Sequence, residues 1–158
     1  GAKLYFTDGS IQHAGVTLGI GGVAGHTHKY FKGDDFGYFS KLILSQEVSA
    51  VTAACLMVRS DIYKKVRGLD ETGLSIAFND VDFCLKVRSL GLKNIWTPHA
   101  ALYHHESVSR GLEDTSEKKA RFNREVSYMK SKWQRELLND PYYSPNLSLE
   151  REDFSIRI

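Results

Sequence analysis

Apolar and polar positions along the chain alternate between short strand-like runs and helical periodicities. The strand-like runs cover residues 3–6, 11–18, 49–59, 93–96 and 100–104. The run at 49–59 is apolar on both faces, which predicts a buried central strand. Thr97-Pro98 separates the last two runs. Since helical segments lie between the strands, the pattern predicts an α/β fold.

Helical periodicity marks three segments. Ser60-Asp61 starts a short helix over 62–66, and Asn79 is the predicted N-cap of a second helix that stops near Gly91. A third helix of about 25 residues follows Gly111. Its apolar side chains form one stripe that predicts a packing face against the sheet or a second chain: Phe122, Val126, Met129, Trp133 and Leu137. Beyond 139–141 the chain reads as an irregular arm.

The second helix carries the most informative carboxylate of the sequence. Asp80 lies in its first turn, on the same side as Phe83, Cys84 and Val87, so it is expected to face the interior or a cleft. Asp82 is rotated by about 200° and is expected to form an exposed i,i+4 pair with Lys86. Asp80 is therefore a candidate general base, with a simple helix-dipole cap as the alternative.

The letters Asp80-Val81-Asp82 also match an Asp-x-Asp metal motif. Residues two apart on a helix do not share a face, whereas oxygen ligands must converge on one Mg²⁺ or Mn²⁺. The helical setting therefore argues against metal chelation by this pair.

A second group of polar residues follows the strand at 100–104. Adjacent side chains of an extended chain alternate sides, so only one of His104 and His105 can face a given pocket. A neutral imidazole can ligate Mn²⁺, and Arg110 can hold a phosphate through its planar guanidinium. An exposed loop with incidental histidines explains the same spacing equally well.

The glycine-rich segment at 19–26 matches G-x-G-x-x-A by letter. No periodic helix follows it, so a dinucleotide site lacks its required context. The glycines instead indicate positive φ angles or close backbone approach. His26 and His28 are candidates for substrate contact or ordinary loop histidines.

Composition restricts the class of protein. The chain has 158 residues, 42% of them hydrophobic, which is enough for one domain with a core. With 21 basic and 19 acidic residues the net charge is +2, which argues against nucleic acid as the main partner. Cys55 and Cys84 lie in apolar surroundings, which predicts reduced, buried thiols in the cytoplasm. No apolar run reaches the length of a membrane span.

Five ordered motifs resemble the second half of a family 2 glycosyltransferase. They are VTAACLMVR at 51–59, VRGLDE at 66–71, FNDVDFCL at 78–85, WTP at 96–98, and YHHES at 103–107 followed by SRG at 109–111. The resemblance implies a partial GT-A fold, a mixed sheet flanked by helices with a long C-terminal amphipathic helix. It also implies inverting transfer of a sugar from a nucleotide-diphosphate donor to a hydroxyl of a saccharide or lipid-linked acceptor, in the synthesis of cell-surface polysaccharide or glycoconjugates.

The resemblance assigns roles to four residues. Asp80 matches the catalytic base, although Asn79 replaces the glutamate that usually precedes it. His104 matches a histidine near the donor diphosphate and the metal, with His105 as the fallback, and Arg110 is expected to close over the diphosphate. The implied cofactor is Mn²⁺ or Mg²⁺, which is expected to need an Asp-x-Asp motif from the family's first half.

That first half, with its nucleotide-binding units, has no counterpart before residue 49. The chain is therefore expected to be a fragment, inactive alone, with an acceptor-side and base-bearing part at 1–111 and a helical extension and tail at 112–158. The full protein is expected in the cytoplasm or peripherally at the inner face of the membrane, with the C-terminal helix available for a homo-oligomer.

Two other classes of function fit parts of the sequence. A non-catalytic carbohydrate-binding or dimerisation module would leave Phe122, Met129 and Trp133 exposed in the monomer. A small metal-dependent hydrolase would bring Asp80, His104 and His105 together within a few ångströms.

Overall fold

The structure is a computed structural model that describes residues 1–105 and 115–157. Its strands are β1 (Ala2–Tyr5), β2 (Ile11–His13), β3 (Val16–Leu18), β4 (Ala24–His26), β5 (Gln46–Val48) and β6 (Asn94–Tyr103). A four-stranded sheet has the order β2-β1-β6-β5, in which β1 and β6 are parallel and the outer pairs are antiparallel. The β3-β4 pair forms a separate antiparallel hairpin.

The helices are α1 (Ser60–Lys65), α2 (Asn79–Arg88) and α3 (Ser116–Leu137). Single turns of 3-10 helix cover Ile20–Gly22, Tyr38–Ser40 and Ala53–Cys55. The predicted α/β class, with a mixed sheet and a long C-terminal helix, is confirmed. Among the described residues, no helix combines the length and the apolar character that crossing a bilayer requires.

The apolar stripe of α3 packs onto the core of its own chain. Met129 is fully buried and Leu137 nearly so, while Val126 and Trp133 are partly buried against the same core. Phe122 is 39% exposed. The prediction of a packing face is confirmed. A binding or dimerisation module would leave Met129 exposed, whereas here it is buried.

The predicted buried strand at 49–59 is wrong. Ser49 and Val51 are buried, but Ala53–Cys55 forms a 3-10 turn and Met57 is 96% exposed. The hydroxyl of Thr52 accepts a hydrogen bond from the Ala54 amide and so caps this turn. A local side-chain bond of this kind competes with strand pairing, which hydrophobic pattern alone does not reveal.

The two predicted strands around Thr97-Pro98 form one strand, β6. Its register with β1 jumps from Ala2–Thr97 to Lys3–Ala101, so the strand bulges at this point. Proline has no N–H to donate, and a bulge is one of the places where a sheet tolerates it.

The predicted strand at 11–18 is divided into β2 and β3, which lie in different sheets. The predictions for α2 and for the glycine-rich segment hold with small shifts. Phe78, not Asn79, is the N-cap of α2 and has a left-handed φ of 61°, and α2 ends at Arg88, before Gly91. Gly19, Gly21 and Gly22 have positive φ angles in the β3-β4 connection, as the glycine-rich segment predicted. Both cysteines are free thiols; Cys84 is buried, whereas Cys55 is only half-buried.

The C-terminal arm is irregular, as predicted. It lies against the body of the domain, where the Tyr142 hydroxyl donates to Glu47 on β5 at 3.2 Å.

Candidate functional site

Asp80 is half-buried in the first turn of α2, so its carboxylate is neither sealed in the core nor free in solvent. Its Oδ2 accepts a hydrogen bond from the amide of Ala53 at 3.1 Å. Its Oδ1 accepts one from the amide of Val81 at 2.9 Å. Two backbone amides therefore orient the carboxylate while part of it stays accessible to a second molecule.

The segment that leads into Asp80 is held by α3. Glu125, only 3% exposed, accepts hydrogen bonds from the Ser75 hydroxyl and from the amides of Ile76 and Ala77 at 2.8, 3.1 and 2.9 Å. The next residue, Phe78, has the left-handed backbone that costs a non-glycine residue about 1–2 kcal/mol. The bonds to Glu125 offset this cost and fix where α2 begins.

Asp82 has a different environment from the one predicted. It is fully buried, and its Oδ1 lies 2.8 Å from both the Trp133 indole nitrogen and the Lys132 ammonium of α3. The predicted ion pair with Lys86 is present at 3.1 Å. The predicted exposure is wrong because α3 covers this face of α2, and Asp82 therefore anchors one helix to the other.

A small polar cavity lies near Asp80. Its volume is about 120 Å³, and the residues that line it are Gln12, His26, Lys29, Thr52 and His104. Gln12 and His26 come from β2 and β4, and His104 directly follows β6. The cavity is thus assembled from both sheets and from the 3-10 turn region that replaced the predicted strand.

Two imidazoles are in contact at this cavity: His13 is fully buried, and His26 is half-buried in the cavity wall. The Nδ1 atoms of His13 and His26 are 3.1 Å apart, so that one hydrogen lies between them. Burial lowers the pKa of His26 and lowers the pKa of His13 well below its usual value, because charging either ring without water is costly. Both rings are therefore neutral near pH 7, and Lys29 supplies positive charge to the cavity.

Two consecutive amides connect Asp80 to the imidazoles. The Thr52 amide lies 3.4 Å from His13 Nε2, and the Ala53 amide donates to Asp80. The charge of Asp80 also acts on His26, where it opposes the lowering of the pKa by burial. Asp80 does not itself line the cavity; it is connected to the cavity wall at Thr52 through the neighbouring amide of Ala53.

The other predicted site residues differ in where they lie relative to the cavity. His104 is half-buried in the cavity wall, whereas His105 is exposed, so the two neighbours face different surroundings. Arg110 lies outside the described residues. His28 is buried, and its Nε2 accepts a hydrogen bond from the Tyr38 amide at 3.1 Å.

No group of three or more His, Cys, Asp or Glu side chains within 1–105 and 115–157 is arranged to hold a metal ion. Asp80, His104 and His105 accordingly do not form the cluster that a metal-dependent hydrolase would need.

Sequence reasoning missed four residues of this site: Gln12, His13, Lys29 and Thr52. The sequence signal that could have found two of them is the polar pair Gln12-His13 within the strand-like run at 11–18. Polar side chains at buried strand positions need partners, and such partners are often part of a site.

Comparisons with known proteins give two similar chains. The uncharacterized protein y4gI of Sinorhizobium fredii is 60% identical over 154 residues, which are 98% of this chain and 17% of that protein. The O-antigen biosynthesis protein RfbC of Myxococcus xanthus is 32% identical over 158 residues, which are 99% of this chain and 12% of that protein. No family model matches the chain, and no solved structure matches it. The chain thus spans less than a fifth of the length of either relative.

Proposed function

We propose that this chain is the base-bearing part of an inverting glycosyltransferase that acts in polysaccharide biosynthesis. The observation that carries the proposal is the half-buried carboxylate of Asp80. It is held by the Ala53 amide, which follows the Thr52 amide that contacts the buried imidazole of His13. The ordered motifs that resemble family 2 glycosyltransferases support it. The similarity to a protein named for O-antigen biosynthesis, which extends over 99% of the chain, supports the pathway class.

In this proposal Asp80 removes the proton from a hydroxyl of the acceptor, a saccharide or a lipid-linked sugar. The resulting oxygen forms a bond to the anomeric carbon of the donor from the side opposite the nucleoside diphosphate. The bond from that carbon to the diphosphate breaks, and its electron pair leaves with the diphosphate. A single displacement inverts the anomeric configuration and requires one carboxylate, which Asp80 provides.

The charge that develops on the diphosphate needs cations. Lys29 lies in the cavity wall, and His104 offers one imidazole that could ligate Mn²⁺ or Mg²⁺. A divalent cation would stabilise the leaving oxygens as a Lewis acid. The described residues hold no three-ligand group, and we propose that carboxylate ligands from a longer protein complete the metal site. Arg110 is proposed to contact the diphosphate, with His105 as a second candidate.

The donor-binding part is proposed to lie in the remainder of that longer protein. Apolar side chains at the end of β6 are uncovered, since Leu102 is 46% and Tyr103 64% exposed. Uncovered apolar residues on a sheet are a common feature of surfaces that another segment covers.

This arrangement predicts that the 158-residue chain alone does not release nucleoside diphosphate from UDP-, GDP- or dTDP-sugars, whereas the full-length protein does. Release is measured with a coupled assay in the presence of Mn²⁺ and membrane lipid extract. Sugar transfer by the isolated chain would contradict the fragment assignment.

Replacement of the base tests the central assignment. In the full-length protein, Asp80→Asn is expected to lower kcat by about 10²–10⁴-fold while the donor KM stays close to that of the parent, because a general base acts in the transition state. Asp61→Asn is the matched control, since Asp61 also lies in the first turn of a helix, α1, and is exposed. Equal kcat values for the parent and Asp80→Asn would remove Asp80 from this role.

A further inference from the structure

We propose that Gln12 is a positioning residue that fixes His104 in the tautomer with hydrogen on Nδ1 and the lone pair on Nε2. Neither the motifs nor the sequence comparisons point to Gln12. The consequence of this tautomer for metal binding rests on the proposed function. The tautomer itself follows from the hydrogen bonds of Gln12 and His104 alone.

The orientation of the Gln12 amide follows from its partners. Gln12 is 4% exposed, and its side-chain nitrogen lies 3.2 Å from the backbone carbonyl oxygen of His104. A carbonyl oxygen can only accept, so the NH₂ group of Gln12 must point toward it. The amide oxygen Oε1 is then the atom that lies 2.8 Å from Nδ1 of His104.

The tautomer of His104 follows from the same reasoning. An amide oxygen has no hydrogen to donate, so Nδ1 must carry the hydrogen of this short contact. A neutral imidazole has a single N–H, and the lone pair is therefore left on Nε2. Histidine in water prefers the opposite tautomer, so this form must be imposed by the protein.

The backbone around His104 is fixed as well. Its amide donates to the carbonyl oxygen of Tyr5 at 3.0 Å, which continues the parallel pairing of β6 with β1. The imidazole is thus held from β1 through the backbone and from β2 through Gln12. An imidazole whose second nitrogen is fixed by a hydrogen bond is the usual arrangement of a metal ligand. In its neutral form it cannot donate from Nε2 to a phosphate oxygen.

Nitrogen NMR tests the tautomer directly. Long-range ¹H–¹⁵N spectra of the labelled chain, recorded at about pH 8.5 where an ordinary histidine is neutral, distinguish protonated from unprotonated ring nitrogens. His104 is assigned by the signals lost in His104→Asn. The expected result is a protonated Nδ1 and an unprotonated Nε2. A protonated Nε2 in the parent chain would overturn the proposal without any variant of Gln12.

Variants of Gln12 test the cause. Gln12→Met keeps the length of the side chain but offers no amide oxygen, and is expected to return His104 to a protonated Nε2. Gln12→Glu retains an acceptor and is expected to keep the hydrogen on Nδ1. Gln46→Met is the matched control, because Gln46 bonds to Lys41 instead. An unchanged tautomer in Gln12→Met would overturn the role of Gln12.

A separate measurement tests the proposed function. Mn²⁺ affinity of the full-length protein, measured by electron paramagnetic resonance, is expected to fall about 10–100-fold in Gln12→Met, as for other residues that orient a ligand. Unchanged affinity together with the expected tautomer would show that His104 is not a metal ligand, while the positioning by Gln12 would stand.

Discussion

Two aspartates separated by a single residue, Asp80 and Asp82, have different surroundings because α3 covers only the second. Asp80 lies at the open end of α2 and is bound by two backbone amides. Asp82 lies beneath α3 and is bound by an indole and two ammonium groups. Asp80 is only half-buried, whereas Asp82 is fully covered and connects α2 to α3.

This difference predicts different effects on stability. Asp82→Ala is expected to lower the free energy of unfolding by about 3–5 kcal/mol, because it leaves Lys132 and Trp133 without their buried partner. Asp80→Ala is expected to lower it by only about 1 kcal/mol, the usual net contribution of a hydrogen bond, because it removes the acceptor of the Ala53 and Val81 amides at a half-buried position. Urea unfolding followed by circular dichroism measures both. Comparable losses for the two variants would contradict the structural assignment of Asp82.

At the scale of elements, α3 positions the start of α2. Asp82 accepts bonds from Trp133 and Lys132 of α3. In addition, Glu125 accepts hydrogen bonds from the segment before Phe78, and the Tyr128 hydroxyl donates to Asp70 at 2.6 Å. These contacts connect α3 to the segment before α2 and to α2 itself. The long C-terminal helix therefore contributes to the site without lining the cavity.

Removing one of these connections should loosen the turn that precedes Asp80. Glu125→Ala is expected to speed hydrogen exchange of the Ile76 and Ala77 amides by about tenfold or more, since each loses a charge-assisted hydrogen bond. Glu117→Ala is the control, because Glu117 lies exposed in the first turn of the same helix. Exchange rates that do not differ between the two variants would show that Glu125 does not hold the turn.

For the whole molecule, the buried histidines make stability depend on pH. Burial lowers the pKa of His28 to about 4, and it also lowers the pKa values of His13 and His26. In the unfolded chain these rings bind a proton below about pH 6.5, whereas in the folded chain they stay neutral. As the pH falls below about 6.5, the unfolded state therefore binds more protons than the folded state, and the free energy of unfolding decreases.

The free energy of unfolding is accordingly expected to fall between pH 7 and pH 4. His28 alone should account for a loss on the order of 3 kcal/mol over this range. Urea titrations at several pH values measure it, and His28→Gln should flatten the profile. His99→Gln should leave the slope unchanged, because His99 is exposed. A parent profile that is flat between pH 7 and pH 4 would contradict the buried, neutral state of these rings.

Much of the local structure could be predicted from sequence because it depends on near neighbours. The periodicity of α3 predicted its packing face, and the glycines at 19–22 predicted positive φ angles. The start of the Asp80 helix was placed within one residue, and its end within three. The segment at 49–59 could not be predicted in this way. Its apolar letters fit a buried strand, but the hydroxyl of Thr52 caps a turn there.

The sequence by itself determined the α/β class, the amphipathic helices and the position of Asp80 in a first turn, since these follow from spacing along a few residues. Only the tertiary structure decided that Asp82 is buried and that His104 shares a cavity with Gln12, which is 92 residues away. Burial and hydrogen-bond partners depend on which distant element covers a surface. Which element covers a surface depends on how the whole chain packs, and the pattern of a single segment does not contain this information.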